Sequence, residues 1–358
     1  MKLKDTFQKI GHGHYFIVVL GLPVMITEMS LGRKTRHDPV QAYRDIDPHA
    51  GIVGIFGVLA AFIILSYYSV IGGWIMKYIF SYGTTMEAVA DFDGFVGSRE
   101  PVLWHFLFMA ITTGVCYFGV SGIERASKVM MPLLFMLLLV IIGRGVTLPG
   151  AVEGFKFMFA PDFSAFSLNS ISGALGQVFY SLSLCMGITI TYGSYLSEKE
   201  NIPKSCVSVA GLDTLIAVLA GIAIFPAVFA FGLEPGQGPG LIFGTLPKVF
   251  SAIAGGEIFA CLFFALVFFA AVTSAIALLE VSVSFAIDTL RWPRKKATLV
   301  IGAAIFVLGI PSALSFGDLG QVRILNYSVF DFVGMITDNI LLPFCGLTMC
   351  YYVVWLWH

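Results

Sequence analysis

Charge is what this chain has least of. Asp, Glu, Lys and Arg make up 12% of its 358 residues, about half the share found in soluble domains, which excludes an ordinary solvated globular surface. No two of the six cysteines form a CxxC pair, and Cys116, Cys185, Cys206, Cys261, Cys345 and Cys350 all lie in or beside apolar runs. They read as small hydrophobes rather than as a disulfide or metal framework. Of six histidines only His12 and His14 are close together, so a transition-metal centre is not expected. The sequence contains no Gly-rich phosphate loop, no nucleophile elbow and no nucleophile–base pair, which excludes the common enzyme classes. A net charge of −1 identifies no polyanionic partner, and no nucleic acid is expected.

What fills the chain is carbon: 58% of residues are hydrophobic and the mean hydropathy is +0.88. Nine apolar spans follow, near Tyr15–Leu31, Ile52–Phe80, Leu103–Val120, Val129–Val146, Ser172–Leu196, Val207–Phe231, Ile258–Ile287, Ala297–Leu314 and Val329–Trp357, joined by short loops. The expectation is an all-α polytopic membrane protein, with residues 1–14 as a non-membrane segment and 15–358 as the transmembrane core. Arg33, Lys34, Arg36 and Arg44 follow the first span, Arg125 and Lys128 the third, Lys199 and Lys204 the fifth, and Arg291, Arg294, Lys295 and Lys296 the seventh. The intervening connections are acidic, so the basic loops are placed in the cytoplasm. That assignment puts the N-terminus outside, although Met1 to Lys9 is basic and has no signal-peptide core. One further helix crossing before Tyr15 would resolve the contradiction.

Four places carry polar chemistry at membrane depth. Gln177 to Leu196 interrupts its own span with Ser181, Ser183, Gly187 and Thr189. Irregular backbone survives there only against protein or a water-filled cavity, as in the broken helices of transporters, although hydroxyls also bond back to their own helix. In Ala270–Ser274 a carbonyl and two hydroxyls, those of Thr273 and Ser274, can converge as hard oxygen ligands for a small cation, or the same small residues can form a helix-packing face. Asp213 lies inside its span, where a charge costs about 2.5 kcal/mol or more on insertion scales; it is read as a sodium ligand, with a snorkelling or protonated carboxylate as the alternative. Tyr67 and Tyr68 lie near mid-membrane, away from the interfacial belts, and each phenol needs a partner, either a substrate carboxylate or a neighbouring carbonyl. Glu28, near the cytoplasmic boundary, is read as structural.

These residues resemble the neurotransmitter:sodium symporter family in its bacterial amino-acid branch. Gly21–Arg33 is similar to the end of the family's second helix, Ser66–Trp74 to its third, Gln177–Leu196 to its broken sixth, Ala270–Ser274 to its eighth, and Asp331-Phe-Val-Gly to its tenth. The resemblance implies an inverted-repeat transporter fold, here lacking the first helix. By position, it implies that Tyr68 binds a substrate carboxylate and that Ile64, Phe179, Ser181, Ser183, Met186 and Leu278 line the pocket. It implies sodium ligands at Ser181 and Asp213 for one site and at Ala270, Thr273 and Ser274 for a second. Gln177 and Asp331 would belong to the outer gate, Tyr195 and Asp288 to the inner gate. Ala217, one turn beyond Asp213, leaves chloride dependence undecided. The function so implied is sodium-coupled symport of a neutral amino acid or related small amine by alternating access. Its setting would be the bilayer of a bacterial inner (plasma) membrane, and Met186 and its apolar neighbours suggest a hydrophobic or aromatic side chain. Two alternatives remain: a truncated or degenerate, transport-inactive protein of the same fold, and proton coupling through Asp213.

Overall fold

The computed structural model describes residues 16–86, 89, 91–148, 150–160, 168–232, 239–252 and 255–356; the expected non-membrane segment 1–14 lies outside them. Among the described residues the regular structure is helical and no strand forms. In order it forms α1 (Leu22–Thr35, entered through a π turn at Ile17–Gly21), α2 (Pro39–Arg44), α3 (Gly51–Thr84), α4 (Phe92–Val96) and α5 (Glu100–Tyr117). It continues as α6 (Gly119–Val146), α7 (Ala151–Phe159), α8 (Leu168–Ser181), α9 (Ile188–Tyr195) and α10 (Ile202–Ala230). A π turn at Gly240–Thr245 then leads to α11 (Leu246–Ser251), followed by α12 (Gly256–Asp288) and α13 (Arg294–Ala313). Last come α14 (Val329–Ile336) and α15 (Leu342–Leu356), joined by a π turn at Thr337–Leu341.

Among the described residues, six stretches are long and apolar enough to cross a membrane by length and composition alone: α3, α6, α10, α12, α13 and Val329–Tyr351. The other three expected spans are helical but weaker. α1 is 14 residues with its π turn in front, α5 is 18 residues diluted by Glu100 and His105, and the span through Ser181 is two helices rather than one.

Burial separates the centre from the rim. Of the apolar window in α3, 61% is buried inside the protein, against 50% in α12 and 22% in α6. α3 and α12 are therefore the central pair, and α6 shows most of its surface to lipid. Near the end of α3 and the start of α12 an aromatic cluster closes over them. Tyr78 meets Phe264 at 4.6 Å, Phe92 stacks on Phe243 at 5.3 Å, and Trp74 stacks on Phe330 at 5.8 Å between ring centroids. Such pairs add roughly 0.5–1.5 kcal/mol each beyond the area they bury. The Tyr78 hydroxyl donates to the Phe243 carbonyl at 2.9 Å, so this buried phenol is satisfied.

α1 and α9 cross with their backbones in contact. A Cβ on Gly32 would overlap the Ile190 carbonyl, and one on Gly193 would come within 2.6 Å of the Met29 carbonyl oxygen and 2.9 Å of its Cα. Only glycine permits this approach.

Candidate substrate and sodium site

The interruption lies where the sequence places it. α8 stops at Ser181, and Ser183, Cys185 and Gly187 adopt left-handed conformations, with φ of 55°, 62° and 76°, before α9 starts at Ile188. Three such residues in five leave backbone groups without helical partners, and Glu28 answers for part of the gap. Its Oε2 accepts from the Cys185 N–H at 3.3 Å and from Thr189 Oγ1 at 2.5 Å, and the side chain is 1% exposed. Glu28 is thus a structural acceptor, satisfied by neutral donors rather than by an ion pair. The Gly187 N–cap has no room for a side chain, since a Cβ would press on Pro39 and Val281.

Two hydroxyls of the interruption bond away from their own helix. Thr189 reaches Glu28, and Ser181 Oγ donates a short hydrogen bond to Asp213 Oδ2 on α10. Ser181 and Asp213, paired in the sequence reading as ligands of one cation site, are therefore in direct contact. At the other candidate site Thr273 Oγ1 donates to the Ala270 carbonyl at 2.9 Å, bringing two of the three expected oxygens together. That bond is also the one a helix-packing hydroxyl makes. Ser274, the third, is exposed. Oxygens of carboxylate, hydroxyl and carbonyl type fit a hard monovalent cation, and among the described residues no cluster of His, Cys, Asp or Glu suits a transition metal.

The expected wall residues divide. Ile64, Met186 and Leu278 are buried in the same apolar cluster, against which Tyr68 also packs. Phe179 packs instead against a second apolar cluster, the one that holds Val178, Cys345 and Met349, with its ring 3.1 Å from where a Gly346 Cβ would stand. Neighbours on a helix point about 100° apart, so position 179 faces away from position 180. Tyr180, which the sequence reading passed over, turns toward Tyr67 with 2.7 Å between hydroxyls. Ser183 is half-buried in the interruption.

The expected gate residues also spread. Gln177 and Asp331 are both exposed, and Asp331 is occupied by the cap of α14, where Ser328 Oγ donates to it at 2.6 Å and accepts from its N–H at 3.1 Å. Tyr195 donates to Glu280 Oε1 at 2.5 Å, and Arg294 donates to Glu280 Oε2 at 2.5 Å and to the Cys116 carbonyl at 3.2 Å. Asp288 lies two turns further along α12 and accepts from the Asp38 N–H at 2.8 Å. Glu280 and Arg294 escaped the sequence reading. An acid within Ile258–Ile287 was a signal of the same kind as Asp213, and Arg294 was read only for its loop charge.

Asp38 caps α2 through the Val40 N–H at 2.8 Å and accepts from Thr289 Oγ1 at 3.0 Å. Burial raises its carboxyl from an ordinary 3.8 to about 6, the Val40 and Thr289 bonds acting against this and the Asp288 charge adding to it. A raised folded value means that the contribution is complete below the unfolded value and is lost as pH rises through about 6. Amide protection of residues 39–44, corrected for chemical exchange, is expected to be greater at pH 5 than at pH 7. Asp38→Asn, an equally good cap, should flatten the difference; an unchanged difference would remove Asp38 as its source.

The sodium:neurotransmitter symporter family profile matches residues 13–93 and 86–354. An uncharacterized sodium-dependent transporter of Bacillus subtilis (strain 168), YhdH, is 39% identical over 339 residues, covering 92% of this chain and 75% of the relative. An uncharacterized sodium-dependent transporter of Haemophilus influenzae is 38% identical over 359 residues, covering 94% and 79% respectively. The crystal structure of MhsT in complex with L-phenylalanine matches with a TM-score of 0.90 at 42% identity, covering 99% of this chain and 82% of that one. With an interrupted helix set among long apolar ones, and with this profile, identity and fold, the chain belongs to the sodium:neurotransmitter symporter family.

Proposed function

We propose that this protein is a sodium-coupled symporter that carries a neutral amino acid across a bacterial plasma membrane by alternating access. The observation that carries the reading is the contact between Ser181, at the end of the broken α8, and Asp213 on α10. A carboxylate within a span marks an ion path by default, and here its partner is the residue at which the helix opens. Asp213 and Ser181 hold one cation and Ala270, Thr273 and Ser274 a second. Bound sodium supplies positive charge to these oxygens and a downhill gradient to the transported load. Tyr68, packed against the cluster that holds Ile64, Met186 and Leu278, presents its hydroxyl to the substrate carboxylate. Ile64, Met186 and Leu278 give the side-chain end of the pocket an apolar wall, which suits a hydrophobic or aromatic amino acid. The L-phenylalanine carried by the related structure supports that class. Ala217 offers neither oxygen nor charge, so chloride is scored separately in the same assay.

The test is uptake of labelled L-phenylalanine and a panel of other amino acids into proteoliposomes, with a sodium or a potassium gradient. Uptake is expected only with sodium. Asp213→Ala and Ser274→Ala should each raise the half-saturating sodium concentration at least about tenfold, the loss of one charge-assisted or hydroxyl contact. Equal uptake in potassium would sink the reading.

A further inference from the structure

The Tyr180 hydroxyl belongs to neither candidate cation site. It donates a short hydrogen bond to Asp338 Oδ1. The Tyr67 hydroxyl, 2.7 Å from it, lies 3.3 Å from the same carboxylate oxygen, and Thr337 Oγ1 donates to that oxygen at 3.0 Å. Three hydroxyls from α8, α3 and the π turn thus converge on one oxygen of an acid set between α14 and α15, inside the stretch Val329–Tyr351 that is long and apolar enough to cross a membrane. Intramembrane acids are costly and are kept where they have a task, and π turns recur at working sites.

The surroundings say which side is fixed. Tyr67 is 8% exposed on the central helix α3, edge-on to Phe330 at 5.8 Å, and Thr337 is fully buried. α8 is held differently from its other half α9: a Cβ on Gly193 would strike Met29, whereas one on Gly176 of α8 would meet nothing within 4 Å. Among the described residues, polar ties of α8 to other elements come at two adjacent residues pointing apart, Tyr180 to Asp338 and Ser181 to Asp213. We propose that Tyr67, Thr337 and Asp338 form a seat for the Tyr180 hydroxyl that fixes the end of α8, making Tyr67 and Asp338 positioning residues for Ser181 and Ser183. The seat sets the register of the opened turn without touching the load, and its effect on uptake rests on the symport reading above.

The experiment measures amide exchange over residues 174–186 in the full chain, in lipid nanodiscs, for wild type, Tyr180→Phe, Asp338→Ala and the double variant. Each single variant is expected to speed exchange about tenfold, as the loss of a hydrogen bond to a charged group implies, and the double to add nothing further because both remove one interaction. Asp338→Asn, which keeps an acceptor oxygen, should restore protection in part, and residues 188–195 should be unaffected. Unchanged exchange in the single variants, or fold-changes that multiply in the double, would overturn the seat. In sodium-driven uptake of L-phenylalanine the same single variants should raise KM about tenfold with a smaller change in maximal rate. Absence of sodium-driven uptake by the wild type would sink the transport reading and leave the exchange result to decide the seat.

Discussion

Arg294→Met is expected to be among the most damaging single changes in this protein, at about 3 kcal/mol, because it strands a buried carboxylate. Glu280 is fully buried and Arg294 retains 26% side-chain exposure, which places the loss at the lower end of the roughly 3–5 kcal/mol range for broken buried pairs. The remaining donor to Glu280 is the neutral Tyr195 hydroxyl. Glu280→Leu is similarly expected to strand Arg294, which would keep only the Cys116 carbonyl as an acceptor. The two changes together should recover most of the loss, since an apolar pair avoids the cost of burying charges. Thermal unfolding of the purified variants in one detergent decides this. A double variant as unstable as the sum of the singles would show that the ion pair is not what Arg294 contributes.

The second large effect is expected from one methyl group. Gly32→Ala places its Cβ against the Ile190 carbonyl group and 2.9 Å from the Ser194 nitrogen. Both are backbone atoms of α9, so no rotamer change relieves the clash and the two helices must separate. Overpacking costs roughly 1–3 kcal/mol where side chains can yield, and a backbone-only clash belongs at or above the top of that range. Gly193→Ala should behave alike from the other side of the crossing. Gly211→Ala on α10, with nothing within 4 Å of its Cβ, should be neutral or stabilising by up to about 1 kcal/mol through helix propensity. Equal melting temperatures for Gly32→Ala and Gly211→Ala would refute the close crossing.

The helical membrane fold was legible because apolar length is a one-dimensional signal. The interruption at Ser181 to Gly187 was legible for a related reason, as hydroxyls and glycine gather where a lipid-facing helix would carry only carbon. Ser181 and Asp213, 32 residues apart, could be paired only through the family resemblance, and they do touch. Partner choice across the bundle was otherwise out of reach. Tyr195 sits on Glu280 rather than beside Asp288, a matter of which turn of α12 faces α9. Phe179 and Tyr180 are consecutive aromatics, and composition gives no means of telling which one faces Tyr67. Asp338 is an acid inside the last span, a signal of the same kind as Asp213, but the extra residue of the π turn that sets its direction has no local sequence mark.

The central pair has a further consequence in its length. α3 has 34 residues and α12 has 33, so each is about 50 Å long, whereas the hydrocarbon core of a bilayer is about 30 Å thick. Tilt alone would have to exceed roughly 50° to hide the excess, beyond the 0–40° range of membrane helices. The ends of both helices therefore stand in the headgroup layers or in water while remaining apolar. The chain supplies covers of its own: Phe92 and Phe243 over Tyr78 and Phe264 at one end, and α2 with Asp38 against Asp288 at the other. In a thicker or thinner bilayer these covers, rather than the helices, would take up the mismatch.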